Sequence, residues 1–155
     1  MRSEYVASGK AFAAASLCMS PSGDTLTSRR TFDALRGGCV PVLVRSTYVL
    51  DRDGLDFGTG LPFPHSIEWP TIALHMLIKR SRACEAIAAD WLAAWHAAPA
   101  LEAMRQRGAR AFYAHLDYTR NPHGVAAALL LEAVHRGEGS QGKSPVEPLR
   151  RMTVG

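Results

Sequence analysis

The segment Pro21–Val44, PSGDTLTSRRTFDALRGGCVPVLV, constrains the fold more tightly than any other stretch of the chain. It reads as a glycine-containing turn, a helix opening on Thr27-Ser28-Arg29-Arg30, a Gly37-Gly38 stop and a short apolar strand. The apolar run Phe12 to Met19 before it reads as another strand. Strand, loop, helix, strand is the βαβ unit of an open α/β sheet. In such a unit the loop after the first strand meets the helix N-terminus, where free backbone N–H groups and the positive dipole end attract anions. Two arginines in the first turn oppose that dipole unless an anion faces them. The pattern points to a phosphate-bearing ligand.

Each residue of the unit has a role on this reading. Gly23 and Asp24 suit the turn. Thr27 or Ser28 caps the helix by accepting a backbone N–H two or three residues on. Arg29 and Arg30 offer planar forks that grip phosphate oxygens two at a time. Asp33, four residues after Arg29, shares its face and either accepts from ribose hydroxyls or pairs with that arginine. Phe32 and Leu35 fall on the buried side, and Gly37 or Gly38 is the C-cap. Cys39 to Val44 is apolar on both faces, as a central parallel strand should be. Were Arg29 and Arg30 only in surface salt bridges, each pair would stabilise by about 0–1 kcal/mol, little reason for the whole pattern.

With these residues in view, the run resembles the signature of the exostosin-like glycosyltransferases, family 47, which reads close to P-R-G-D-x-x-x-S-R-R-x-F-D-A-x-x-x-G-C-x-P-V. The matching positions are Pro21, Gly23, Asp24, Ser28, Arg29, Arg30, Phe32, Asp33, Ala34, Gly38, Cys39, Pro41 and Val42. The likeness continues more loosely through Leu61-Pro62-Phe63 and Ile67-Glu68-Trp69 to the helices ending near Arg136. Ser22 stands where the family usually carries arginine.

The resemblance implies an α/β fold: a Rossmann-like half of a GT-B glycosyltransferase, a parallel sheet flanked by helices, with a helical C-terminal part. In that arrangement the C-terminal half binds the nucleotide sugar, usually a UDP-sugar, and the family motif lies in it. The implied reaction is sugar transfer with inversion to a polysaccharide or glycoprotein glycan, in the Golgi membrane or lumen. The implied donor-binding residues are Gly23, Asp24, Thr27, Ser28, Arg29, Arg30 and Asp33. No catalytic base is nominated and no cofactor is implied. Arg29, Arg30 and the helix N-terminus would stabilise the departing diphosphate, leaving no role that demands a divalent metal.

At 155 residues the chain has room for one domain with a sizeable core, not for two Rossmann-like halves. The expectation is a nucleotide-sugar-binding domain over residues 1–136 and a flexible tail over 137–155, where Gly, Ser, Pro and charges gather. The acceptor-binding half and the membrane anchor would lie elsewhere, in a longer protein or in a partner transferase. A non-catalytic module that binds a nucleotide sugar or glycan and supports such a partner is the rival reading, and Ser22 favours it. An unrelated α/β domain that binds a phosphate metabolite is a further rival, separated by nucleotide selectivity.

Hydrophobic residues make up 47% and charged ones 21% of the chain, and the apolar runs stop short of the roughly 20 residues a membrane helix requires. No secretory signal is visible in Met1 to Met19. The net charge of +4 is spread along the chain without interleaved aromatics, so nucleic acid is not the expected partner. Cys18 and Cys39 fall in apolar strands and Cys84 on a helix face; buried free thiols are the favoured reading, with a disulfide as the alternative for a lumenal protein.

Asp51, Asp53 and Asp56 lie in an irregular stretch. Leu55 and Pro62 break the calcium-loop pattern there, so a solvated loop is the reading. Ser66 to Leu77 holds another strand, followed by the basic Lys79, Arg80 and Arg82. Glu68 either touches the donor sugar or is an exposed carboxylate. Cys84, Ile87, Ala88, Trp91 and Trp95 form an amphipathic stripe, and the tryptophans read as core. A second helix follows Pro99 with Leu101, Met104, Gly108, Phe112 and His115 on one side. A third starts at Asn121-Pro122 and carries Val125, Leu129, Leu130 and Val134. The six histidines show no metal-ligand spacing and read as surface or satisfied core residues.

Overall fold

The computed structural model describes residues 9–21, 27–46, 60–78, 84–138 and 153–154. Four parallel strands, β1 (Leu17–Pro21), β2 (Val40–Ser46), β3 (Leu74–Ile78) and the two-residue β4 (Thr153–Val154), pair in the order β1-β2-β3-β4. Leu17 lies opposite Val40 and Pro21 opposite Val44, while Val42 lies opposite Leu74. The helices are α1 (Arg29–Gly37), α2 (Cys84–His96), α3 (Ala100–His115) and α4 (Pro122–Glu138), with a 3-10 turn at Trp69–Thr71. The architecture is α/β and Rossmann-like, as the βαβ reading requires.

Helices cover both faces of the sheet, and β2 is buried on each side. Val40 and Val42 pack with Leu74, Met76 and Trp91 on one face. Leu43 packs with Leu35, Trp69, Ile72 and Phe112 on the other. Gly108 lets α3 approach α1, since a Cβ there would meet the Leu35 side chain at 2.9 Å. Leu101, Met104, Gly108 and Phe112 form the buried stripe of α3, as their spacing predicts. Trp91 of α2 is core and Trp95 half-buried, while the side chains of Cys84, Ile87 and Ala88 lie outside the described residues.

Several expectations are corrected. The run from Phe12 to Met19 is not one strand: residues 9–14 are helical and β1 begins at Leu17. Lys10 to Ala15 is rich in alanine, the strongest helix former, and contains no β-branched residue. The strand expected within Ser66–Leu77 starts only at Leu74, because Pro70 opens the 3-10 turn ahead of it. Helix α4 runs through Gly137 to Glu138, and Thr153 and Val154 pair with Leu77 and Ile78.

Helix α4 also turns a different face inward. Its buried residues are Ala128 and Glu132, whereas Leu129, Leu130 and Val134 are 56%, 69% and 55% exposed. The cause lies at its start. Asn121 accepts from the Gly124 N–H and donates to the Ala114 carbonyl. Gly124 itself sits against that carbonyl, too close for any side chain. This contact sets the rotation of the helix and carries the leucines outward.

For two of the cysteines the alternative reading holds in place of the favoured free thiols. Cys18 and Cys39 are buried, but they form a disulfide with their Cα atoms 6.0 Å apart. The parallel register explains it. Cys18 lies opposite Pro41, so Cys39, two residues before Pro41 and on the same face, is its diagonal neighbour. Among the described residues no helix is long and apolar enough to cross a membrane.

Candidate anion-binding site

Helix α1 begins where β1 ends, at the C-terminal end of the sheet, the place where open α/β sheets bind ligands. Ser28 is its N-cap: the residue is extended, its hydroxyl accepts from the Arg30 N–H at 3.3 Å, and its carbonyl accepts from Thr31. Thr27, the other capping candidate, instead donates its hydroxyl to the Gly60 carbonyl. Gly38 is the C-cap at φ 75°, and its N–H closes the helix on the Ala34 and Leu35 carbonyls. Thr31, Ala34 and Leu35 form the buried side, with Phe32 half-buried beside them. Inside the first turn the Ser20 and Thr31 hydroxyls meet at 2.7 Å, joining the end of β1 to the start of α1.

Arg29 and Arg30 are exposed in the first turn, and no acidic residue accompanies them there. Arg29 pairs with Asp33 at 3.4 Å, the pairing alternative of the sequence reading. Both side chains are open to solvent, so the pair is worth about 0–1 kcal/mol and is readily exchanged for a better anion. Gly23 and Asp24 lie outside the described residues, as do Ser22, the aspartates at 51, 53 and 56, and the basic residues at 79, 80 and 82. Glu68 is exposed, and its carbonyl accepts from Thr71.

A loop from Gly60 to Ser66 borders this helix end. Its first residue takes the Thr27 hydroxyl, and the Trp69 indole N–H donates to the Pro62 carbonyl at 2.9 Å. Its fourth residue, Phe63, has φ 53°, a left-handed backbone that bulky side chains rarely adopt.

The histidines are expected as surface or satisfied core residues, and His65 fits that expectation, but the partner that satisfies it was not legible in the sequence. His65 in this loop donates its backbone N–H to Glu132 Oε1 and its Nδ1–H to Oε2, both at 2.8 Å. The direction is fixed because an ionised carboxylate only accepts. The His135 ring stacks on the His65 ring at 4.3 Å. Burial pushes the Glu132 carboxyl up, but the His65 ring, the His65 N–H and the nearby His65 and Arg136 charges outweigh it and hold the group below its ordinary range. The sequence signal was faint: one acid inside the run LLLEAV. Among the described residues no three His, Cys, Asp or Glu side chains are placed to hold a metal ion.

A Rossmann-like sheet with a serine-capped, arginine-bearing helix N-terminus at its C-terminal end defines the class: an α/β domain with a candidate anion site. The family model of the Exostosin GT47 domain matches residues 2–90, more than half of the chain, and the chain belongs to this family of glycosyltransferases. That match spans β1, α1, β2, the Gly60–Ser66 loop and β3, and it ends before α3 and α4. No curated protein matches the chain.

Proposed function

We propose that this chain is the donor-binding half of a GT-B glycosyltransferase that takes a UDP-sugar and transfers the sugar, with inversion, to a polysaccharide or glycoprotein glycan. One observation carries this reading. Within the family match, the N-terminus of α1 presents Arg29 and Arg30 beyond a Ser28 cap, with no acid in the first turn. Gly23, Asp24 and Thr27 would complete the cradle, and Asp33 would release Arg29 or accept from a ribose hydroxyl.

In the transfer the acceptor oxygen forms a bond to the anomeric carbon as the bond from that carbon to the diphosphate breaks. The acceptor proton leaves to a base outside this site. The helix N-terminus and the two guanidinium groups meet the negative charge that grows on the leaving diphosphate. A preorganised contact of this kind is worth about 2–4 kcal/mol of barrier.

The Cys18–Cys39 disulfide supports a lumenal setting such as the Golgi, because disulfides persist in oxidising compartments. The experiment is calorimetric titration of UDP, with ADP as control, into the chain and into Arg29→Ala/Arg30→Ala. Selective UDP binding lost in the double variant supports the reading. No binding by the folded chain removes it. Ser22, where the family carries arginine, favours a second reading as a non-catalytic nucleotide-sugar or glycan module. UDP binding without sugar transfer when an acceptor-binding half is supplied would select it.

A further inference from the structure

Helix α4 reverses the usual sidedness of a surface helix. Such a helix buries its apolar stripe and shows its charges to water. Here the one charged residue between Gly124 and Val134, Glu132, is 7% exposed, while Leu129, Leu130, Leu131 and Val134 are 56%, 69%, 40% and 55% exposed. Two separate contacts lock this rotation. Gly124 sits against the Ala114 carbonyl too closely for a side chain, and Glu132 takes the backbone N–H and the Nδ1–H of His65, both at 2.8 Å. Burying a carboxylate is unfavourable unless its hydrogen bonds are met. The acid is satisfied inside and the leucines are left outside, and a contiguous exposed apolar face marks an interaction surface.

The open surface is one helix wide. Ala126, Leu130 and Ala133 follow one another at i, i+4 and i+7 along its centre, with Leu129 and Val134 on either side, and all five are exposed. The other exposed large apolar residues among those described are Met19 on β1, Tyr113 on α3 and Tyr118 in the turn after α3. A surface of this width fits a single helix.

The pattern along that line suits its own copy. A two-fold axis sets two such helices antiparallel, with their macrodipoles opposed. Leu130 stands between small residues, Ala126 before it and Ala133 after it. The order reads the same way in the reversed partner, so the Leu130 of each protein seats between the Ala126 and Ala133 of the other. A two-fold also brings residues near the axis against themselves, where like charges repel. Glu132 is turned inward, so no charge lies there. The helix has 17 residues and is about 25 Å long, and its face would close over roughly 300–500 Å² per copy. Both copies together reach the lower end for a specific interface, so the dimer is weak, with a Kd of about 10–100 μM. A lipid surface is the poorer fit: interfacial helices are rich in Lys and Arg, and α4 carries Arg136 alone of these.

We propose that the outward face of α4, centred on Leu130, is the docking surface for a second copy of this chain, paired with it as two antiparallel helices about a two-fold axis. This pairing stands independently of what the N-terminus of α1 binds.

The test is sedimentation equilibrium of the chain over a range of concentrations, beside Leu130→Glu, Leu130→Lys, an equal mixture of those two, Leu130→Ser and Met19→Gln. Wild type should pass from one chain to two as concentration rises through the Kd. Met19→Gln, altered at an exposed apolar residue away from α4, should do the same. Each charged variant should remain a single chain, because its charge meets its own copy at the axis. Their mixture should associate again, because a carboxylate then meets an ammonium across the two-fold. Residue 130 is open to water, so the variants keep the fold, which circular dichroism below the Kd verifies. Leu130→Ser places no charge on the face, should raise the Kd by about tenfold or more, and serves where a charged variant fails to fold. Wild type that stays a single chain at about ten times the expected Kd overturns the proposal. So does association of Leu130→Glu equal to that of wild type, or a mixture of folded charged variants that stays monomeric. Monomeric wild type that floats with phosphatidylglycerol vesicles makes the face a lipid contact and overturns the pairing. Growth beyond two chains without limit means a head-to-tail contact and overturns it as well.

Discussion

Removing the Cys18–Cys39 bridge isolates the one covalent contribution to the βαβ unit. The two residues are 21 positions apart, and the loop they close contains the turn, all of α1 and the C-cap. In the chain-entropy account, a cross-link over about 21 residues removes about 11 cal/mol/K from the unfolded ensemble, or about 3 kcal/mol at 25 °C. Replacing both cysteines by alanine also deletes two buried sulfurs, which adds about 1–2 kcal/mol of lost packing. The two effects separate if reduced wild type, which keeps its sulfurs, is measured beside Cys18→Ala/Cys39→Ala. A domain of this size loses about 2–4 °C of Tm per kcal/mol, so reduction should lower Tm by about 6–12 °C, and the double variant should fall somewhat further.

The assay is thermal unfolding followed by circular dichroism, with free thiols titrated in denaturant. The oxidised monomer should show one thiol, from Cys84, and the reduced chain three. Reduced protein with three titrated thiols that unfolds within about 1 kcal/mol of the oxidised form would refute the reasoning, since the entropy of so long a loop leaves no room for so small an effect.

Four further outcomes follow from particular contacts. Ser28→Ala should cost about 1 kcal/mol in urea unfolding, because the Arg30 N–H loses its acceptor. Gly124→Ala should lower Tm by more than Gly108→Ala. The first new methyl meets the Ala114 backbone carbonyl, whereas the second meets the movable tip of Leu35, a cost of about 1–3 kcal/mol. Leu130→Ser should change stability by no more than about 0.5 kcal/mol, because the residue is mostly exposed. Glu132 has a folded-state value below its ordinary 4.5, so its stabilisation is fully present above that value and is lost as pH falls through the lowered one. Unfolding of Glu132→Gln across pH 2–6 should lack that component of the acid dependence, and an unchanged acid profile would refute it.

What could be read from the sequence was local. The helix from Arg29 to Gly37 carries its own start and stop, because the Ser28 cap and the left-handed Gly38 act within four residues. The stripe of α3 was legible for the same reason: its apolar spacing and its buried face coincide. Where a local rule met a tertiary one, the tertiary rule prevailed. Leucines at 129 and 130 mark an apolar face of α4 by composition, yet Gly124 against the Ala114 carbonyl sets a rotation that turns them outward. The disulfide depends on the β1–β2 register, which the spacing of two cysteines does not encode.

The candidate site divides along the same line. Ser28, Arg29 and Arg30 are legible because a helix N-terminus is built from consecutive residues. The placement of the Gly60–Ser66 loop beside them is not, because it depends on Gly60 meeting Thr27 across 33 positions and His65 meeting Glu132 across 67. The family match covers α1 and extends across the Gly60–Ser66 loop but ends short of Glu132. The restraint that Glu132 places on the loop therefore comes from α4, a helix outside the matched segment, and no reading of that segment alone could have shown it.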